Sequence, residues 1–285
     1  MAAVTGRRWR RWFSLYIPLG IFVIVTLFPF YYMAITAVRP DREMYIPWNR
    51  PNFAPFWTLH PTMEHFALLF RETLFARWLV NTLVIATCST LISVFCGLLA
   101  AYALARLRFP LGGPLGTGIF VTYLVPQTLL FIPLGEVIRS FRLSDSLWAL
   151  IFTYPTFLIP FCTWLMMGYF RTIPRELEEC AQIDGATRIQ AMVRIVFPVA
   201  IPGILSAGIF AFTLSWNEFI YAMIFLSSAT NKTIPVGVVS QLVMGDTFFW
   251  GPLMAGALLG SVPVAFIYSF FVEQYVSAMT GAVKG

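Results

Sequence analysis

Five stretches of this chain run for about 25 residues each without a single charged side chain: Trp12–Val38, Trp78–Ala105, Phe109–Gly135, Ser146–Phe170 and Thr247–Val272. A sixth, Ile195–Asn217, is interrupted by Glu218 and resumes to Asn231. Each meets the requirement of roughly 20 mainly apolar residues for a helix that crosses a bilayer. With 59% hydrophobic and 11% charged residues, a soluble fold of 285 residues would have almost no polar shell. None of the runs shows the alternation of a membrane β-strand. The expected fold class is an all-α membrane protein. It has one domain over 1–285 and six transmembrane helices near 14–37, 79–104, 114–136, 147–170, 202–227 and 252–272.

Arg7, Arg8, Arg10 and Arg11 precede the first span and place the N-terminus in the cytoplasm by the positive-inside rule. Six spans then return the C-terminus to the same side. The first run is too long for the apolar core of a cleaved signal peptide. The net charge of +6 is scattered over short connections, which excludes a nucleic-acid-binding face. Cys88, Cys96, Cys162 and Cys180 lack metal-ligand spacing and are expected to be small buried residues. His60 and His65 fall in the connection after the first span, where a solvated loop is expected. No metal site and no catalytic constellation is readable, so the chain is expected to be no enzyme on its own. Prolines and glycines within the spans (Pro126, Pro155, Pro160, Gly256, Gly260, Pro263) are ascribed to packing, or to a moving or pore-lining helix.

The connection 171–201 is the most informative segment. Pro174 suits a first helical turn, Glu176, Glu178 and Glu179 suit the positive end of a helix dipole, and Gly185 suits a left-handed stop. Thr187 with Gln190 forms a capping-box pattern, and the second helix is expected to end before Pro198. The segment reads as two short helices joined at a glycine elbow.

Glu179-Cys180-Ala181, Asp184-Gly185-Ala186, Ile195, Pro198 and Pro202 resemble the EAA loop of bacterial ABC-importer permeases. Cys180 stands where alanine is usual, and Met192 where an aromatic is common. Asn81-Thr82-Leu83, the run Ala100–Arg106, Ser215-Trp216-Asn217-Glu218-Phe219, Thr233-Ile234-Pro235-Val236-Gly237 and Gly281-Ala282-Val283-Lys284-Gly285 are similar to the carbohydrate-uptake branch, in particular the smaller permease subunit of maltose-type transporters.

The resemblance implies the type I permease fold in a bacterial inner membrane. Its partners would be a second permease subunit, two ATP-binding subunits and an extracytoplasmic solute-binding protein, with a sugar or sugar derivative as cargo. ATP and Mg would reside on the ATPase subunits, since this chain has no phosphate loop of the G-x-x-x-x-G-K-[ST] type. Glu179, Ala181, Asp184, Gly185, Ala186 and Arg188 would form the ATPase-coupling surface, and Gly281, Lys284 and Gly285 a C-terminal ATPase contact. The segment Ser227–Gly251, with Asp246 and Trp250, would reach toward the binding protein. Trp216, Asn217, Glu218 and Tyr221 are the candidate translocation path. An acid at Glu218's depth must face a cavity or a partner. It is read as a structural contact, as a lining of the sugar path, or as a proton-coupling carboxylate. The last reading would make the chain an ion-coupled secondary transporter.

Overall fold

The computed structural model describes residues 11–52 and 54–281, with side chains as far as Phe271. Its helices in chain order are α1 (Trp12–Val38), α2 (Asp41–Met44), α3 (Glu64–Arg71), α4 (Phe75–Arg106), α5 (Gly112–Leu124), α6 (Gln127–Ser140) and α7 (Leu147–Thr172). They continue as α8 (Glu176–Ile183), α9 (Arg188–Val199), α10 (Ile201–Trp216), α11 (Ile220–Phe225), α12 (Ile234–Leu242) and α13 (Trp250–Gly281). A hairpin of β1 (Val243–Met244) and β2 (Thr247–Phe248) joins the last two. Gly245, at φ +59°, opens its two-residue turn, a position that favours glycine in such hairpins.

Among the described residues, four helices are long and apolar enough to cross a membrane, and two bent pairs, α5 with α6 and α9 with α10, raise the number of candidate spans to as many as six. The third span, expected as one helix over 114–136, consists of α5 and α6, inclined at 98°. Pro126 has no N–H to continue the ladder and forces Val125 into an extended conformation with ψ 125°. The fifth span also departs from one continuous helix over 202–227. It ends as α10 at Trp216 and resumes as α11 after a break at Asn217–Phe219.

The chain divides into two compact units, one of Met1–Phe75 with Val238–Ser261 and the other of Ala76–Gly237 with Val262–Gly285. In the first, Arg39 follows α1 and is buried, its Nη2 donating at 2.7 Å to the carbonyls of Ala54 and Trp57. His60 is solvated and pairs with Glu43 at 2.9 Å. His65, expected in a solvated loop, is buried: its Nε2 lies 2.8 Å from the Arg39 carbonyl, and its ring occupies the space a Cβ on Gly251 would need.

The core of the second unit sits among α4, α7 and α10. The helices approach where side chains are smallest. A Cβ on Gly97 would lie 2.7 Å from Cβ of Cys162 and 3.2 Å from the backbone nitrogen of Thr163. Ser89 on α4 and Ser215 on α10 share a 2.9 Å hydrogen bond. The aromatic pairs Phe120–Trp164 (6.0 Å) and Tyr123–Phe161 (5.8 Å) pack α5 along α7. Of the four cysteines expected to be buried, only Cys162 is. Cys88 and Cys96 are half-buried, and Cys180 is exposed because α8 lies on the surface.

Gly97→Leu forces two packed helices apart. It is expected to cost about 1–3 kcal/mol, the usual range for overpacking, and to lower the unfolding temperature of the purified protein. Unchanged unfolding would show that the α4–α7 approach is not close-packed.

Candidate functional site

The loop 171–201 folds as two helices about an elbow, and the elbow is a complete Schellman motif. α8 ends at Ile183, and Gly185 takes φ +91°. The Gly185 N–H donates to the Gln182 carbonyl (3.1 Å) and the Ala186 N–H to that of Ala181 (2.9 Å). Ala181 and Ala186 are thus the pair that closes the stop, and both are half-buried. Thr187 then caps α9 through a full capping box with Gln190. Glu179, Asp184, Gly185 and Arg188 are exposed, beside the apolar side chains of Ile183 (84% exposed) and Ile189 (71%).

Two expectations need correction. Pro174 lies outside the first turn, because α8 begins at Glu176 with Arg175 as its N-cap. The second helix does not stop before Pro198. A π turn at Met192–Val196, closed by the Phe197 N–H donating to the Met192 carbonyl, resets the ladder, and the helix passes Pro198 to Val199. A 73° bend at Ala200 then leads into α10.

The loop is fixed to the last turn of α4. Arg106 Nε lies 2.9 Å from Oε1 of Glu178, and both side chains are buried. Oε2 of Glu178 accepts from the Tyr102 hydroxyl at 2.9 Å. The Tyr102 ring is held edge-on by Phe170 and Phe197, at 6.0 and 6.3 Å. Two backbone ties complete the joint: Arg106 Nη2 donates to the Ile173 carbonyl (2.7 Å) and Arg175 Nη2 to that of Ala105 (3.0 Å). Displacement of α8 therefore pulls on α4 directly. Sequence reasoning missed this joint, although Tyr102 and Arg106 stand four residues apart and so share a helix face.

In the fifth span, Glu218 sits in the break between α10 and α11. Its carboxylate accepts from the backbone N–H groups of Tyr221 (2.8 Å) and Ala222 (3.1 Å) and from the Tyr154 hydroxyl (2.7 Å). It caps α11 and ties it to α7. Tyr221 is buried, stacks on Phe157 at 6.1 Å and donates its hydroxyl to the Gln127 carbonyl at 2.7 Å. α11 is thereby tied to the first residue of α6. Trp216 is buried against Phe212. Of the four candidate path residues, only Asn217 is exposed, its Nδ2 donating to the Thr213 carbonyl.

Two motifs that are distant in sequence meet at the start of α4. Asn81 Nδ2 donates to the carbonyls of Thr230 and Lys232, both at 2.9 Å, and Trp78 Nε1 to that of Ala229 at 2.7 Å. The Ile234 N–H donates to the Thr82 hydroxyl at 2.8 Å, and the Trp78 ring fills the space a Cβ on Gly237 would take. From the α6–α7 connection, Asp145 Oδ1 accepts from the N–H groups of Ser227 and Ser228, both at 2.9 Å, and its Oδ2 accepts from the Ser228 hydroxyl. That hydroxyl bond, reinforced by the two backbone donors, holds the Asp145 carboxyl below its usual range. The clasp therefore contributes fully above the ordinary carboxylate range and is lost only as pH falls through the depressed value. Lys284 and Gly285 lie outside the described residues, and Gly281 is the last residue of α13.

The description "binding-protein-dependent transport system inner membrane component" belongs to the family whose profile matches residues 93–280. The chain is 35% identical to the inner membrane ABC transporter permease protein YcjP of Escherichia coli, over 99% of each chain. It is also 35% identical to the sulfoquinovosyl glycerol transport system permease protein SmoH of Agrobacterium fabrum, over 95% of this chain and 93% of the relative. It is 31% identical to the trehalose/maltose transport system permease protein MalG of Thermococcus litoralis, over 93% and 94%. Among solved structures, a bacterial ABC transporter involved in the import of the acidic polysaccharide alginate shares the fold. Its TM-score is 0.78 over 94% of this chain and 98% of that one, at 20% identity.

The joint at Glu178 makes a prediction about single and combined substitutions. Arg106→Met alone strands a buried carboxylate and is expected to cost about 3–5 kcal/mol. Adding Glu178→Leu and Tyr102→Phe removes the stranded carboxylate and the hydroxyl that pairs with it, and should restore most of that stability. Chemical unfolding of the purified protein checks this; a triple variant as unstable as the single one would mean the ion pair is not what the joint depends on.

Proposed function

The chain belongs to the binding-protein-dependent transport system inner membrane component family, and on that premise we propose that it forms half of the translocation pathway of an ATP-driven importer for a sugar or sugar derivative. It is a multi-pass protein of the inner membrane. The relatives named for sulfoquinovosyl glycerol and for trehalose and maltose support the substrate class. Its counterparts are a second permease subunit, two ATP-binding subunits that hold ATP and Mg and carry out hydrolysis, and an extracytoplasmic binding protein. The arginine cluster at residues 7–11 supports cytoplasmic termini.

The observation that carries the coupling reading is the buried joint of Tyr102, Arg106 and Glu178. An exposed elbow with apolar Ile183 and Ile189 offers a docking surface, and the joint passes its displacement into α4. Glu179, Asp184 and Arg188 set the register of docking through charge, and the left-handed Gly185 permits close backbone approach. Both Glu218 oxygens already accept hydrogen bonds within the chain, which supports a structural cap over a proton-coupling acid. Asn217 is the exposed polar group of that span and the residue of choice for cargo contact. Gly281, Lys284 and Gly285 extend the ATPase contact at the C-terminus, and the segment Ser227–Gly251 meets the binding protein.

The reading is tested by reconstituting the permease pair with its ATPases and binding protein. Uptake should require ATP; uptake without ATP that follows a proton gradient would replace the proposal with ion coupling. Within the same system, Gly185→Trp should abolish uptake while leaving the permease folded, and Asp184→Lys should weaken ATPase association about tenfold, as expected for reversal of one charge at an interface. Normal pull-down and transport in both variants would reduce the loop to a connector.

A further inference from the structure

Three clefts adjoin where the spans hand over to the coupling loop. The first, of about 410 Å³, is lined by Tyr102, Arg106, Arg108, Arg175 and Arg188, with Glu178 and Glu179 among its walls. The second, of about 470 Å³, shares Arg106 and Arg175 with it and adds Arg171 and Glu176. The third, of about 410 Å³, shares Arg171 with the second and is otherwise walled by Leu104, Phe120, Trp164, Met167 and the start of α5. A basic belt thus runs into an apolar groove.

The charges of the belt are unbalanced. Among the described residues, Arg106 is its only arginine in an ion pair. Arg171 reaches no nearer polar partner than Sδ of Met167, at 3.7 Å, and Arg175 spends one Nη2 donor on the Ala105 carbonyl. Five arginines face three glutamates across the first two clefts, a surplus of two positive charges. In the groove, Trp164 remains 47% and Phe120 37% exposed, their rings tilted against each other with centroids 6.0 Å apart and open to the surrounding medium. Nothing lies within 4 Å of a Cβ built on Gly113, so the groove is open at that point too.

The surroundings supply a ligand of that shape. Arginines at the end of a span sit at headgroup level, where their planar donors match phosphate oxygens. Tryptophan favours the same level, and basic pockets between transmembrane helices at such a boundary hold anionic lipid headgroups. We propose that this chain binds an anionic glycerophospholipid here, with its phosphate between Arg171 and Arg175 and an acyl chain along Phe120, Trp164 and Met167. A zwitterionic headgroup would bring an ammonium into a surplus of positive charge and is disfavoured. Arg171 and Arg175 flank Ile173, whose carbonyl anchors Arg106, so an occupied site stiffens the start of the coupling loop. That consequence rests on the coupling reading; binding itself does not.

Native mass spectrometry of the assembled transporter tests it, with phosphatidylglycerol, phosphatidylethanolamine and inorganic phosphate as probes. The wild type should retain phosphatidylglycerol in preference to phosphatidylethanolamine. The pair Arg171→Gln and Arg175→Gln should weaken retention about 30-fold, roughly a factor of five per basic side chain. Gly113→Phe should fill the groove without strain and weaken retention while assembly persists. Equal retention in both variants would overturn the assignment. Competition by inorganic phosphate would overturn it in favour of a free anion, and cross-linking of Gly113→Cys to the second permease would make the groove a subunit interface. None of these outcomes depends on transport, so failure here leaves the importer reading untouched.

Discussion

Hydrocarbon offers the backbone no water, so every break in a span has to find its hydrogen bonds inside the protein. The architecture of this chain follows from how its breaks meet that demand. The break after α10 is answered by Glu218, whose side chain receives two N–H groups of α11 and reaches α7 through Tyr154. Beside the break between α5 and α6, Tyr221 of α11 donates to the carbonyl of Gln127, the first residue of α6. The break after α10 is thus satisfied by a side chain of its own, and α11, which that side chain caps, is tied to both α7 and α6. A carboxylate that looks costly in a list of intramembrane residues is the group that makes a broken helix admissible.

The same economy of unpaired groups governs the polar end of the bundle. Glu178 is buried, yet its oxygens meet Arg106 and Tyr102, and the neighbouring carbonyls of Ile173 and Ala105 meet Arg106 and Arg175. Such a joint adds little net stability over an apolar one, but it tolerates few alternative arrangements. An apolar contact in its place could slide, whereas this one is held in a single arrangement by directional bonds.

Much of this was legible in the sequence. The long apolar helices follow from the charge-free runs, and the elbow follows from Gly185 and the Thr187–Gln190 spacing, because helix stops and caps are local events. What could not be read was non-local. Nothing near Glu218 announces that Tyr154, 64 residues away, donates to it. Cys162 reads as an ordinary small residue until Gly97 is found against it. Pro198 misled for a different reason: proline ends an α-helix, but a π turn just before it shifts the ladder, and that shift leaves no mark in composition. Pro126 obeyed the same rule without such a shift, and the chain turned by 98°.

The anchoring of the segment after α11 has one more consequence. Trp78 and Asn81 grip the carbonyls of Ala229, Thr230 and Lys232, and the Asp145 carboxylate takes the N–H groups of Ser227 and Ser228. A carbonyl is present whatever residue carries it, so the grip at 229, 230 and 232 is blind to side-chain identity. Drift at those three positions leaves the mooring intact, while a change at Trp78 frees 229 and a change at Asn81 frees 230 and 232 together. The segment is therefore a place where descendants of this chain can rewrite their outward-facing chemistry and still inherit its geometry.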